Sequence, residues 1–124
     1  MANARRGEID AIIDGRPHIL CLTLGALAEL ESAFGASDLA ALSERFTEGR
    51  LSARDLIRIV GAGLRGAGLA VRDDEVATMR ADGGAIGFAR IAARLLHVTF
   101  GDEQAGTDTP RPTPGEIGPL VSPA

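Results

Sequence analysis

Five of the six prolines in this sequence fall after Gly101, and they limit how much of the chain can fold. Pro110, Pro112 and Pro114 alternate, and Pro119 and Pro123 follow. Proline removes a backbone donor and blocks helix continuation. The apolar content of 102–124 is Ile117, Leu120, Val121 and two alanines, too little to offset the entropy of ordering. This segment reads as a disordered Pro-rich tail. Residues 1–101 are left as one domain. The tail's four acids against Arg111 take up most of the chain's net charge of −4, so the folded part is nearly neutral.

A domain of this size buries roughly two-thirds of its unfolded surface, so a modest core is available. With four Phe and no Trp or Tyr, that core must be Leu, Ile, Val and Ala. All 13 basic residues are Arg, set against 17 acids. A net acidic chain without Lys argues against binding nucleic acid or anionic lipid. One Cys excludes an internal disulfide and a Cys-based zinc cluster, and it fits a reducing compartment. No apolar run approaches the ~20 residues that span a bilayer. No apolar stretch follows Met1–Arg6, so no signal peptide is expected and the chain reads as cytoplasmic.

Residues 8–22 read as a β-hairpin. Asp14-Gly15 is a strong two-residue turn signal. That loop pairs Ile13 with Arg16 and Ile12 with Pro17. The second is a non-hydrogen-bonded pair, so the missing donor of Pro17 does no harm inside the hairpin. One face then carries Ile9, Ala11, Ile13, Leu20 and Leu22. The other carries Glu8, Asp10, Ile12, Ile19 and Cys21. A lone hairpin is marginal in water, so helices must cover the first face.

Thr23 is a fitting N-cap for a helix over 24–34, with Leu24, Leu27, Ala28, Leu30 and Phe34 as its stripe and Gly35 as its stop. Ser37 is placed to cap a second helix to about Glu48, with Leu39, Leu42 and Phe46 inward and Gly49 ending it. Ser52 opens a third, with Asp55 as a short analogue of the capping-box acid and Leu56, Ile59, Val60 and Leu64 buried. A short fourth helix starts at Asp73 or Asp74 and runs through Val76 and Met79 to Gly83-Gly84. A last one runs from about Ala85 to Phe100, with Phe88, Ile91, Leu95 and Val98 inward. The fold class is α+β, mainly α: an N-terminal hairpin and about five short helices in a compact bundle.

No catalytic constellation emerges. Gly61-Ala-Gly63-Leu-Arg-Gly66 matches the dinucleotide-binding spacing, with Asp82 about 20 residues on. A helix capped at Ser52 already contains Leu56, however, and too little chain follows for further βαβ units. The glycines are better read as close-packing positions or a frayed helix end. His18 and Cys21 stand three apart on a strand, hence on opposite faces. His18 and His97 have no partner at a trustworthy metal spacing. Glu29 and Glu31, two apart on a helix, diverge and read as a solvated face. The stripes Arg90–Arg94–His97 and Arg54–Arg58–Arg65 read as solvated faces or as stems packed over a small core. No enzyme activity, cofactor or metal is expected. Exposed apolar surface beside an open strand edge is how β-augmentation or helix docking begins. The outer hairpin residues Ile12, Ile19 and Cys21 are therefore the candidate partner-binding residues, unless later helices cover them.

Several segments taken in order carry a family resemblance. They are Arg6-Gly7-Glu8, Ile13-Asp14-Gly15, Leu22-Thr23-Leu24-Gly25-Ala26-Leu27 with Glu29-Leu30-Glu31, Leu42 to Phe46, and Leu51-Ser52-Ala53-Arg54-Asp55-Leu56. The glycine run 61–68, Glu75-Val76 with Met79, Gly83-Gly84, and Leu95-Leu96 through Thr99-Phe100-Gly101 complete the set. Together, over about 5–101, they resemble the small tail assembly chaperones of bacterial gene transfer agents and tailed phages, a family also labelled tail tube or tail component. The resemblance implies a non-enzymatic protein of the bacterial cytoplasm, one that coats the tape measure protein until tube subunits polymerise around it, with a homo-oligomer as a further expected partner. Its rival within the same resemblance is a structural tube or terminator subunit that stays in the particle. No catalytic residue transfers.

Overall fold

A computed structural model describes residues 2–47 and 51–101. The proline-rich segment and the expected end of the second helix at Glu48–Gly49 lie outside the described residues.

A single 3-10 turn, Ala4–Arg6, leads into strand β1 (Glu8–Ile13), which pairs antiparallel with β2 (Arg16–Cys21). Asp14 and Gly15 both take positive φ, 55° and 75°, as a tight turn between right-twisting strands requires. The register is the one the turn dictates: Ile13 opposite Arg16, and Ile12 opposite Pro17. Ile9, Ala11, Ile13, Leu20 and Leu22 are all buried.

Helix α1 (Leu24–Phe34) begins where the Thr23 hydroxyl accepts from the Ala26 N–H at 3.1 Å, and it closes on Gly35. Its buried stripe is Ala26, Leu27 and Leu30. Leu24 and Ala28 are exposed, against expectation. Leu24 lies roughly a quarter turn of the helix away from the direction of Leu27 and Leu30, and Ala26 takes the inward place. Helix α2 (Leu39–Thr47) is capped by Asp38 rather than Ser37, through the Ala41 N–H donating to Asp38 Oδ1 at 2.8 Å. Leu42 and Phe46 point inward. Leu39, in the first turn, stays exposed, and α2 packs chiefly on α1.

Helix α3 (Ala53–Gly66) is the axis of the domain, touching β2, α1, α4 and α5. Both halves of the Ser52–Asp55 capping box are made. Ile59, Val60, Ala62 and Leu64 are fully buried, and Leu56 is half-buried. Helix α4 (Asp73–Val76) is one turn, shorter than expected. After it the chain extends to Ala81, which bridges to Ile13.

Helix α5 (Gly84–Leu96) packs on α3 and β1. It does not run on as an α-helix to Phe100: residues His97–Gly101 form a π-helical turn. In an unbroken α-helix Phe100 would face away from Ile91 and Leu95. The wider i→i+5 turn holds it back and carries it inward. Phe100 is buried, while Val98, the residue an α-helix would have buried, is half-exposed.

Candidate partner-binding face

The outer face of the hairpin is the candidate site. In register, its cross-strand pairs are Glu8–Cys21, Asp10–Ile19 and Ile12–Pro17. Ile12 is 48% exposed and Ile19 36%, so no described helix covers this face. Cys21 is half-buried beside the 3-10 turn, and its thiol donates to the Arg6 carbonyl at 3.6 Å. Burial, followed by the Glu8 charge, pushes that thiol above its ordinary pKa, and Arg6 offsets this only in part. Cys21 therefore sits on the face as a neutral, weakly polar side chain. Below it opens a cleft of about 440 Å³ lined by Glu8, Ile19, Cys21, Thr23 and Gly66.

The strand edges are less open than the sequence suggests. At the hairpin tip the Asp14 N–H donates to the Arg80 carbonyl at 2.7 Å, and the Arg80 N–H donates to Asp14 Oδ1 at 2.9 Å. Further along β1, Arg94 Nη2 donates to the Asp10 carbonyl at 2.9 Å. On β2, Pro17 has no donor, and the Cys21 carbonyl lies against Gly66 of α3. An incoming strand finds few consecutive free groups on either edge.

The remaining candidate residues take structural places. Gly61, Gly63 and Gly66 all lie within α3, and the described element before it is helix α2 rather than a strand. An added Cβ at Gly63 would stand 2.6 Å from Leu95 Cδ2, and one at Gly66 would overlap the Cys21 oxygen. The glycine spacing is thus a packing feature between α3, β2 and α5. The hairpin register puts His18 opposite Ala11 on the face away from Cys21. His97 stands on the π turn beside the same cleft as Asp10 and Arg94. Glu31 takes no part in any described ion pair, but Glu29 is not a free solvated acid. It accepts from Arg65 Nη2 at 2.7 Å, while Arg65 Nη1 reaches the Val71 carbonyl at 2.9 Å and Asp73 Oδ1 at 3.0 Å. The hydrogen bond to Glu29 is the main reason Arg65 is held still more firmly protonated. Arg58 donates to the Ala33 carbonyl and lies over the Phe34 ring, as does Arg45. These arginines cover core elements and are not arrayed for phosphate. Among the described residues, no group of three or more His, Cys, Asp or Glu side chains is placed to hold a metal, and no helix is long and apolar enough to cross a membrane.

One feature escaped the sequence reading. A groove of about 410 Å³ opens between α2 and the end of α5, walled by Phe46, Leu51, Ala89, Ala93, Leu96 and Phe100. The signal was available in part: Ile86, Ala89, Ala93 and Leu96 share a stripe on the side of α5 away from the core.

A family model described as "Phage tail tube protein, GTA-gp10" matches residues 6–102 of the chain. No curated protein and no solved structure gives a match.

Proposed function

The chain belongs to the GTA-gp10 phage tail tube protein family, and from that membership we propose that it serves tail morphogenesis as a non-enzymatic assembly chaperone for the tape measure protein. The observation that carries this reading is the uncovered apolar face of the hairpin at Ile12 and Ile19, with half-buried Cys21 next to them, beside edges that offer few consecutive free groups to a strand. Such a face favours docking against the apolar side of a helix over β-augmentation. Burying the exposed part of Ile12 or Ile19 contributes about 1 kcal/mol each. One such contact is weak and reversible, which suits a protein that must leave as the tube closes. Many copies along one long partner would add avidity. The chain would act in the cytoplasm of the bacterial host as a single domain over 1–101, with homo-oligomers forming the coat.

A second reading, a structural tube or terminator subunit, is favoured by the family's own description. Affinity capture of the tagged chain from particle-producing cells, with mass spectrometry of lysate and purified particles, separates the two. Tape measure protein in the capture and absence of the chain from particles is the expected result. Stoichiometric copies in the particles would replace the chaperone with the subunit. Ile19→Lys, which sets a cation opposite Asp10 rather than a second carboxylate, should abolish capture while leaving the melting temperature within about 5 °C.

A further inference from the structure

The groove between α2 and α5 has an occupant available within the chain. α2 packs on α1, and α5 packs on α3 and β1, which leaves the space between α2 and α5 unfilled. Its floor is aromatic, formed by Phe46 and Phe100 with ring centroids 6.4 Å apart, and its α5 wall is low at Ala89 and Ala93. Gly101, the last described residue, lines it, so the remaining sequence starts at the groove.

In that remaining sequence Pro114, Ile117, Leu120 and Pro123 recur every third position. A polyproline II helix has three residues per turn, so these four would form one apolar edge. Grooves lined by aromatics are what such helices dock on. Ile117 and Leu120 would stand roughly 9 Å apart, close to the roughly 10 Å from Ala89 to Leu96 along α5. We propose that residues 114–123 of the same molecule bind this groove as a polyproline II segment, with Ile117 and Leu120 seated over Phe46 and Phe100.

Reach and charge agree with this. The 15 residues 102–116 give a flexible span of about 20 Å, which matches a groove on this scale. Such a tether sets an effective concentration in the millimolar range, so a weak contact is still occupied. Glu116 precedes Ile117, and exposed Arg90 stands one position beyond Ala89, with no ion pair among the described residues. Glu44, beside Ser43 on the opposite wall, directs the acid to the α5 side. A segment too poor in apolar surface to fold alone can order on a preformed surface. This inference does not depend on the proposed chaperone role.

The test is amide hydrogen exchange on the full chain, compared with full-length Ile117→Asp/Leu120→Asp and with Ala93→Arg, which fills the groove. Exchange over 89–100 should be about fivefold slower in the unaltered chain than in the double variant. In Ala93→Arg, the slowing over 89–100 should be lost as well. Melting temperatures report whether each variant keeps its fold. Equal exchange in the unaltered chain and a folded double variant would overturn the proposal. Protection that rises with protein concentration would assign the groove to a second copy and overturn it equally. So would protection that appears only when the tape measure protein is added.

Discussion

Adding one methyl group at Gly66 tests how α3 meets the hairpin. Gly66 closes α3 with ordinary helical φ, so Ala is conformationally acceptable there. Helix propensity alone makes Gly66→Ala stabilising by up to ~1 kcal/mol. Packing opposes this. The new Cβ would overlap the Cys21 carbonyl oxygen and stand 3.1 Å from its carbon and 3.4 Å from the Thr23 nitrogen. These are backbone atoms that no rotamer change can move aside. Overpacking of this kind costs about 1–3 kcal/mol, and a fixed backbone puts the cost at the upper end. The net expectation is a loss of about 2 kcal/mol, a fall in melting temperature on the order of 10 °C for a domain this size. Gly25→Ala is the control. Gly25 lies in α1, and its added Cβ would meet only the Thr23 hydroxyl, at 3.8 Å. It should gain about 0.5–1 kcal/mol. Thermal and urea unfolding followed by far-UV circular dichroism measures both. If Gly66→Ala matches or exceeds the unaltered chain, the close approach of α3 to β2 is wrong.

Asp14→Ala should cost about 1–3 kcal/mol, because Ala resists the positive φ and the bond to the Arg80 N–H is lost. Asp14→Asn should be nearly neutral in the same unfolding assay. Ser52→Ala removes one half of the α3 capping box and should cost about 1 kcal/mol in urea unfolding. Cys21, with its pKa raised by burial, should react with iodoacetamide more slowly at neutral pH than a free thiol and accelerate only as pH climbs past the usual thiol range. The sign of its stability effect follows. A raised folded pKa leaves its contribution complete below the unfolded value and removes it as pH rises through the folded one. Loss of stability on acidification traced to Cys21 would contradict this.

What could be read from the sequence was local. Asp14-Gly15 fixed the hairpin register, and register fixed which face is buried. Thr23, Gly35 and the Ser52–Asp55 box marked helix ends because their partners are three or four residues away. The outer residues Ile12, Ile19 and Cys21 could be assigned to one face for the same reason. What closes the edges could not be read, since Arg80 meets Asp14 across 66 positions and Arg94 meets Asp10 across 84. Glu29 looked solvated because its partner Arg65 lies 36 positions away. Leu24 and Leu39 misled because an apolar residue in a first turn satisfies the helical pattern even where no neighbour faces it.

The π turn at His97–Gly101 bears on how this chain tolerates changes in length. In a plain α-helix the inward direction set by Ile91 and Leu95 would fall between positions 98 and 99, and position 100 would face away. The wide turn therefore absorbs one surplus residue while keeping the aromatic ring against Phe46. Removing one residue between His97 and Thr99 would let the helix rewind to regular geometry with the ring still in place. Exchanging Phe100 for Ala would instead leave the wide turn with nothing to hold. At this point of the fold, a deletion is a smaller change than a substitution.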